Sequence, residues 1–374
     1  MFEIAGFADP RFSGVKDAFA ANFAQGLERG ARFSLVEAGE VVVDLWAGHA
    51  DRQQSKPFDQ TTLTSVFSVT KALAALLIAR LVDQGKLSYA QPVADIWPAF
   101  AQAGKGQVTV EQAMSHQAGV CGFAEPMDAH AWFDWDFIRA RIETMAPLWP
   151  PGTASGYHAI TIGFIAGEIF RRIDGRGMAQ ALREDICAPH GLDIWIGLPE
   201  AEDHRVADLQ RPPSLPEFGE QNEPTRVAFL TPWASPAGRN MAEWRRAEIP
   251  SVSGHATALS LARLMGALAD GGQLDGTHIL SPALVAEAAR ERIRGQDLVL
   301  PYNMSWGAGF MRNETETPWG PGTQTFGHSG WGGACAFADP QRRLGGSYVM
   351  NRQGTALMGD PRPKRLIEAA YAGL

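Results

Sequence analysis

An α/β fold of the α+β kind is predicted by three observations. Strand patterns occur near both ends of the chain, and helical patterns fill its middle. The 374 residues, 45% of them hydrophobic, are enough for a large core. The economical arrangement is one antiparallel sheet, built from N- and C-terminal strands and flanked by helices, with a mainly helical domain inserted. Residues 1–63 and 250–374 then form the sheet domain and residues 64–249 the helical one, with an active site between them.

The elements follow in order. Residues 13–29 read as a helix, with Phe19, Phe23 and Leu27 four apart. Arg32 to Trp46 reads as a hairpin, two apolar strands around Ala38-Gly39-Glu40. Helical patterns dominate from Thr64 to about Gly197. Ala72 to Ala79 is apolar all round, which implies a buried helix, and Gly85 stops it. Thr109 and Gln112 make a capping box, and an apolar helix runs from Ile160 to Phe170. Residues 199–250 carry eight prolines together with Phe218, Phe229, Trp233 and Trp244. Such a stretch predicts an ordered cover packed on the domain rather than a solvated linker. Helix returns at 256–269. Strands are predicted at Gly307–Met311, Gln324–Gly327, Ala334–Ala338 and Gly345–Met350, and a last helix after Pro363.

Composition removes several classes of function. A net charge of −8 disfavours nucleic acid and anionic membranes as partners. The longest apolar run is too short to span a bilayer, and no basic segment followed by an apolar one marks a signal peptide. Cys121, Cys187 and Cys335 are scattered and odd in number, with no metal-binding or disulfide spacing. A cytoplasmic protein without metal or other cofactor is expected. No G-x-S-x-G elbow is present, nor any H-x-x-x-H pair.

One segment carries chemistry. Ser68-Val69-Thr70-Lys71 places a hydroxyl and an amine one helical turn apart, at the mouth of the apolar run. A lysine so placed can take the serine proton, and a helix N-terminus favours a developing oxyanion. The same spacing recurs at Ser13-Gly14-Val15-Lys16, before any strand that could support it. Further along, Tyr157 follows a glycine-rich loop, Pro151 to Gly156, able to aim its hydroxyl into a cleft. Glycines in Phe326-Gly327-His328-Ser329-Gly330-Trp331-Gly332-Gly333 imply close approach by another backbone or a ligand.

Three segments in this order resemble the class C serine β-lactamases, the D-Ala-D-Ala peptidases and, above all, the family VIII carboxylesterases. The matches are Ser68-Val69-Thr70-Lys71, Tyr157-His158-Ala159 and His328-Ser329-Gly330, supported by Ser115-His116-Gln117-Ala118-Gly119, Trp149-Pro150-Pro151-Gly152 and Gly254-His255-Ala256. The resemblance spans about residues 30 to 350 and implies a β-lactamase/DD-peptidase-like fold. It implies Ser68 as nucleophile and Lys71 and Tyr157 sharing the general-base work. It also implies an oxyanion hole from the N–H groups of Ser68 and Trp331, and substrate contacts from His328, Ser329, Gly330 and Trp331. Their reference pKa values, about 10 for tyrosine and about 10.4 for lysine, require the site to tune both.

Two departures bear on the substrate. Ala159 stands where the lactamase pattern has an amide-binding Asn, and His328 where it has a permanent cation. Both weaken recognition of an anionic lactam, and neither is needed for a neutral ester. The leading expectation is a serine hydrolase of small carboxylic esters working through an acyl-enzyme. The alternatives are a β-lactamase, D-aminopeptidase or acyltransferase on the same fold, or a non-catalytic ligand-binding relative. Trp132, Phe133 and Trp135 are candidates to line an apolar acyl pocket.

Overall fold

A computed structural model describes residues 3–238, 241–313 and 318–374. Its strands are β1 Ala5–Ala8, β2 Gly30–Glu37, β3 Glu40–Gly48, β4 Thr64–Ser65, β5 Ile194–Ile196, β6 Gly254–Ala256, β7 Gln273–Leu274, β8 Thr277–His278, β9 Ile293–Gln296, β10 Asn303–Trp306, β11 Met311–Arg312, β12 Phe326–Ser329, β13 Cys335–Asp339 and β14 Leu344–Met350. The longer helices are α1 Ser13–Ala24, α2 Thr70–Asp83, α3 Trp135–Thr144, α4 Thr161–Asp174, α5 Ala258–Ala269, α6 Pro282–Ala289 and α7 Pro361–Ala372.

Nine strands form one antiparallel sheet in the order β1-β3-β2-β14-β13-β12-β11-β10-β9. Inside it lies the β2–β14 pair, where the first and last long strands of the chain meet with Ser34 opposite Ser347. The β2–β3 hairpin turns through Ala38 and Gly39, both at positive φ (51° and 87°), the backbone that a two-residue hairpin requires. Successive strand residues face opposite sides. On β14, Gly345 therefore meets α5, while Tyr348 lies under Arg362 of α7, and both faces of the sheet are covered. A separate three-stranded sheet, β4-β6-β5, brings Ser65 opposite His255 and leads straight into the segment that carries Ser68.

Several elements depart from expectation for identifiable reasons. α1 stops at Ala24 because Gly26, at φ 67°, turns the chain before Leu27. Gly307–Met311 is not a strand. Gly307 N–H donates to the Phe310 carbonyl at 2.9 Å and Gly309 sits at φ 89°, so residues 307–310 are the turn between β10 and β11. β1, β9 and α6 had no signal distinct enough to be expected. α2 is buried from Thr70 to Ala79 as its apolar run implied, and the Thr109/Gln112 box makes both reciprocal bonds. Between 199 and 250 the chain forms short helical turns packed on the body, residues 239 and 240 lying outside the described residues.

α5 approaches the sheet closely. A Cβ added at Gly345 would fall 2.1 Å from the Gly266 nitrogen and 2.6 Å from the Ala262 carbonyl oxygen. Both neighbours are backbone, so neither can swing away. Gly345→Val is expected to cost about 2–3 kcal/mol of stability through overpacking, read from urea unfolding. Wild-type stability in that variant would mean α5 is free to move off the sheet.

Candidate active site

Ser68 lies on a tight 3₁₀ turn, Phe67–Val69, that runs directly into α2. Phe67, just before it, has φ of 48°. A bulky residue in the left-handed region is strained, and strain persists only where surroundings enforce it. Here the Val66 N–H donates to the Gly254 carbonyl at 2.9 Å, and Thr70 Oγ1 accepts from the Gly254 N–H at 2.9 Å. β6 thus clamps the turn on both sides of Ser68.

Three sequence-singled residues meet at one oxygen. Lys71 Nζ is 3.1 Å from Ser68 Oγ, and the Tyr157 hydroxyl is 2.8 Å from it. Lys71 Nζ also donates to the carbonyls of Ala159 at 2.7 Å and Ser251 at 3.0 Å. Burial pushes the Lys71 amine well below its ordinary value. Burial also pushes the Tyr157 phenol above its ordinary value, the bond to Ser68 opposing and the charge of Asp297 assisting. A neutral amine has two N–H bonds and one lone pair. With its hydrogens on the two carbonyls, the lone pair is left for the Ser68 hydroxyl hydrogen, while Tyr157 donates to Ser68 Oγ from the other side.

Beside Ser68 opens a cavity of 70 Å³, with Phe67, Ile160, Phe229, Ser235, Trp244 and Trp331 among its lining residues. No ionisable side chain among the described residues lines it. Phe229 and Trp244 come from the proline-rich cover, and Phe229 stacks over Tyr157 at 6.2 Å between ring centres. The Trp132 group lies elsewhere. Trp132 packs on Phe123 and Phe164 with its indole N–H on the Trp233 carbonyl, and Trp135 stacks on Phe164. These aromatics fill core, because α3 and α4 pack through them.

The third motif divides. Trp331 borders the cavity, but His328, Ser329 and Gly330 do not. His328 is fully buried, with Nδ1 2.7 Å from the Ser329 carbonyl and its ring 6.0 Å from Tyr157. Burial and the nearby Lys71 push its pKa down to about 3, so it is neutral throughout the physiological range. Gly330 supplies the close approach its type implied. A Cβ there would lie 2.3 Å from the Val66 carbonyl oxygen, so β12 can press against the Ser68 turn only because residue 330 has no side chain.

Sequence reading missed Asp297 and Ser251. The Asp297 carboxylate accepts the Tyr157 N–H at 2.9 Å across 140 residues of chain, and the Ser251 contribution is a main-chain carbonyl, which any residue type supplies. Neither leaves a local pattern.

A protein-family model described as Beta-lactamase matches residues 19–371. Esterase/beta-lactamase LipL of Mycobacterium tuberculosis is 34% identical over 364 residues, 93% of this chain and 83% of LipL. The crystal structure of a penicillin-binding protein homologue from Caulobacter crescentus is similar at a TM-score of 0.98 and 62% identity, with all of both chains covered. That of a family VIII carboxylesterase is similar at 0.93 and 44%, again over all of both chains.

Gly330→Ala tests the contact between β12 and the Ser68 turn. The added methyl meets backbone, so the turn and Trp331 must separate. A displacement of this size at a reacting centre is expected to lower ester turnover about 10²-fold. Unchanged kinetics would show that the contact does not set the site's geometry.

Proposed function

The chain belongs to the beta-lactamase family, and within it we propose a serine carboxylesterase that cleaves small, uncharged carboxylic esters through an acyl-enzyme on Ser68. The observation that carries this reading is the suspension of Ser68 Oγ between Lys71 Nζ and the Tyr157 hydroxyl, beside a cavity with no ionisable side chain among its described lining residues.

In the proposed acylation, Ser68 Oγ attacks the ester carbonyl and its proton passes to the lone pair of Lys71. The carbonyl oxygen, now anionic, lies against the main-chain N–H groups of Ser68 and Trp331. Collapse of the tetrahedral intermediate breaks the bond to the alkoxy oxygen. Tyr157, next to Ser68 and to the Lys71 amine, hands a proton to that oxygen and is reprotonated by the Lys71 ammonium. Water then attacks the acyl-enzyme by the same route in reverse, Lys71 and Tyr157 accepting its proton and returning one to Ser68. Ser68, Lys71 and Tyr157 come from the 64–249 segment and Trp331 from the 250–374 segment, so the proposal keeps the site between the two sequence-defined units. His328 and Gly330 act on substrate only indirectly, His328 by packing near Tyr157 and Gly330 by its approach to the Ser68 turn, and Ser329 makes no substrate contact in this proposal.

A β-lactam-reactive serine is the second reading, favoured by the names of LipL and the Caulobacter crescentus homologue. The cavity weighs against it as the main activity, since a lactam carboxylate would find no cation among its described lining residues. A cytoplasmic location is part of the proposal. The three cysteines are free and buried, as a reducing compartment allows. No helix among the described residues is long and apolar enough to cross a membrane.

Wild-type protein should hydrolyse p-nitrophenyl butyrate, and Ser68→Ala should not, whereas Ser13→Ala should match wild type. With the amide partner and the cation both missing, at about 1–3 kcal/mol each, kcat/KM for nitrocefin should be lower by roughly two orders of magnitude. Comparable values for the two substrates would transfer the assignment to the second reading.

The pH profile follows from the direction of the Lys71 shift. The reactive form is the neutral amine, so activity falls as pH drops through the lowered Lys71 pKa, and it is already high well below the ordinary lysine value of about 10.4. Tyr157→Phe should cost about 10²–10⁴-fold in kcat and retain this acid limb. A wild-type rate that climbs only near the ordinary lysine value would mean that Lys71 rests as an ammonium.

A further inference from the structure

Asp297 opens the loop between β9 and β10 and is almost wholly buried. Five donors converge on its carboxylate. Oδ1 accepts the main-chain N–H groups of Tyr157 at 2.9 Å, Val299 at 3.0 Å and Leu300 at 2.9 Å. Oδ2 accepts the Ser155 hydroxyl at 3.0 Å and the Trp306 indole N–H at 3.3 Å. The Trp306 ring in turn stacks on the Tyr157 ring, 5.7 Å between centres and 11° from parallel. The Leu298 N–H adds a bond to the Ser155 carbonyl at 2.9 Å.

We propose that Asp297 is a positioning residue for Tyr157, holding its main chain with one carboxylate oxygen and, with the other, the indole on which its phenol is stacked. The inference rests on the reading of Tyr157 as a proton carrier in ester hydrolysis. A tyrosine ring at the end of a glycine-rich loop has two freedoms, the path of the loop and the tilt of the ring. One buried anion removes both, since displacing either contact costs a charged oxygen one of its donors in a dry interior.

The same charge acts on the phenol. The titratable groups that face Tyr157 are Lys71 from α2, 4.8 Å from its ring centre; His116, 4.9 Å away; His328 from β12; His158, next in the chain; and Asp297. Burial holds the three histidines neutral, His158 at about 4, His328 at about 3 and His116 well below its ordinary value. Burial raises the Asp297 proton affinity overall, its main-chain and Ser155 hydrogen bonds opposing. With a donor at each oxygen and no acceptor offered, the carboxylate form fits the site. A negative charge close by disfavours tyrosinate, so Tyr157 keeps the proton that it donates to Ser68.

Asp297→Asn tests this, with Trp306→Phe as a second variant that keeps a ring under Tyr157 but removes the indole N–H. Two quantities are read. One is kcat and KM for p-nitrophenyl butyrate. The other is the tyrosinate absorbance of Tyr157 during a pH titration, isolated by subtracting the same background carrying Tyr157→Phe. Asp297→Asn is expected to lower kcat about tenfold or more with KM little changed, and to move the Tyr157 titration to lower pH. Trp306→Phe should lower kcat by a smaller factor, again with KM little changed. Wild-type kcat in Asp297→Asn, or a lowered kcat with the titration unmoved, overturns the proposal. Should Asp297→Asn fail to fold, wild-type kcat in Trp306→Phe overturns it. If the wild-type protein hydrolyses no ester, the catalytic reading fails by itself, and the absorbance titration still decides whether Asp297 governs Tyr157.

Discussion

The site depends on a lysine amine held out of water without a counter-ion. An ammonium in the position of Lys71 would have to surrender its hydration for two carbonyls and a hydroxyl. Desolvation of that kind disfavours charge strongly, and no carboxylate among the described residues pairs with Lys71 to restore it. The neutral amine that results is a base that solution chemistry would not provide near neutrality. Much of the surrounding architecture serves this burial. α2 is apolar all round, so its first turn is sealed into the body of the protein. The carbonyls of Ala159 and Ser251 come from the segment before α4 and the segment before β6, closing the amine from two further sides.

Around this amine, the remaining parts are placed by backbone contacts more than by side chains. The Ser68 turn is pinned by Gly254 and pressed by Gly330, two residues whose absent Cβ atoms leave room for Thr70 Oγ1 and the Val66 carbonyl. The histidines nearby, His116, His158 and His328, are buried and neutral. They shape the chamber without adding charge, and this keeps Asp297, and Lys71 once it has taken the serine proton, as the groups whose charge matters to Tyr157. Among the described residues the cavity lining is accordingly uncharged, which suits an ester whose acyl and alkoxy parts carry no ion.

The legibility of this protein in its sequence varied with the range of the interactions. Ser68 and Lys71 are three residues apart on one turn, and the apolar run after them signals burial, so their juxtaposition was readable. The β2–β3 hairpin and the Thr109 cap were readable for the same reason. Tyr157 and Trp331 were reachable through the order of three motifs resembling a known family, whose fold the Beta-lactamase match over residues 19–371 bears out. Asp297 was not readable, because a lone aspartate in a loop says nothing about a backbone N–H 140 residues away. The permanent neutrality of His328 was not readable, since its exposure is set by packing against Tyr157 and Trp306 rather than by its neighbours in the chain. Gly307–Met311 read as a strand because glycine and apolar residues alternate there, yet the positive φ of Gly309 serves a turn.

The central claim is that one serine, and no other residue, carries the acyl group. Intact-protein mass spectrometry after brief exposure to an activated ester or a phosphonate probe, followed by peptide mapping, tests it most directly. A single adduct on Ser68, absent from the Lys71→Ala variant, is the result this account requires. An adduct on any other side chain, or undiminished labelling without Lys71, would contradict it.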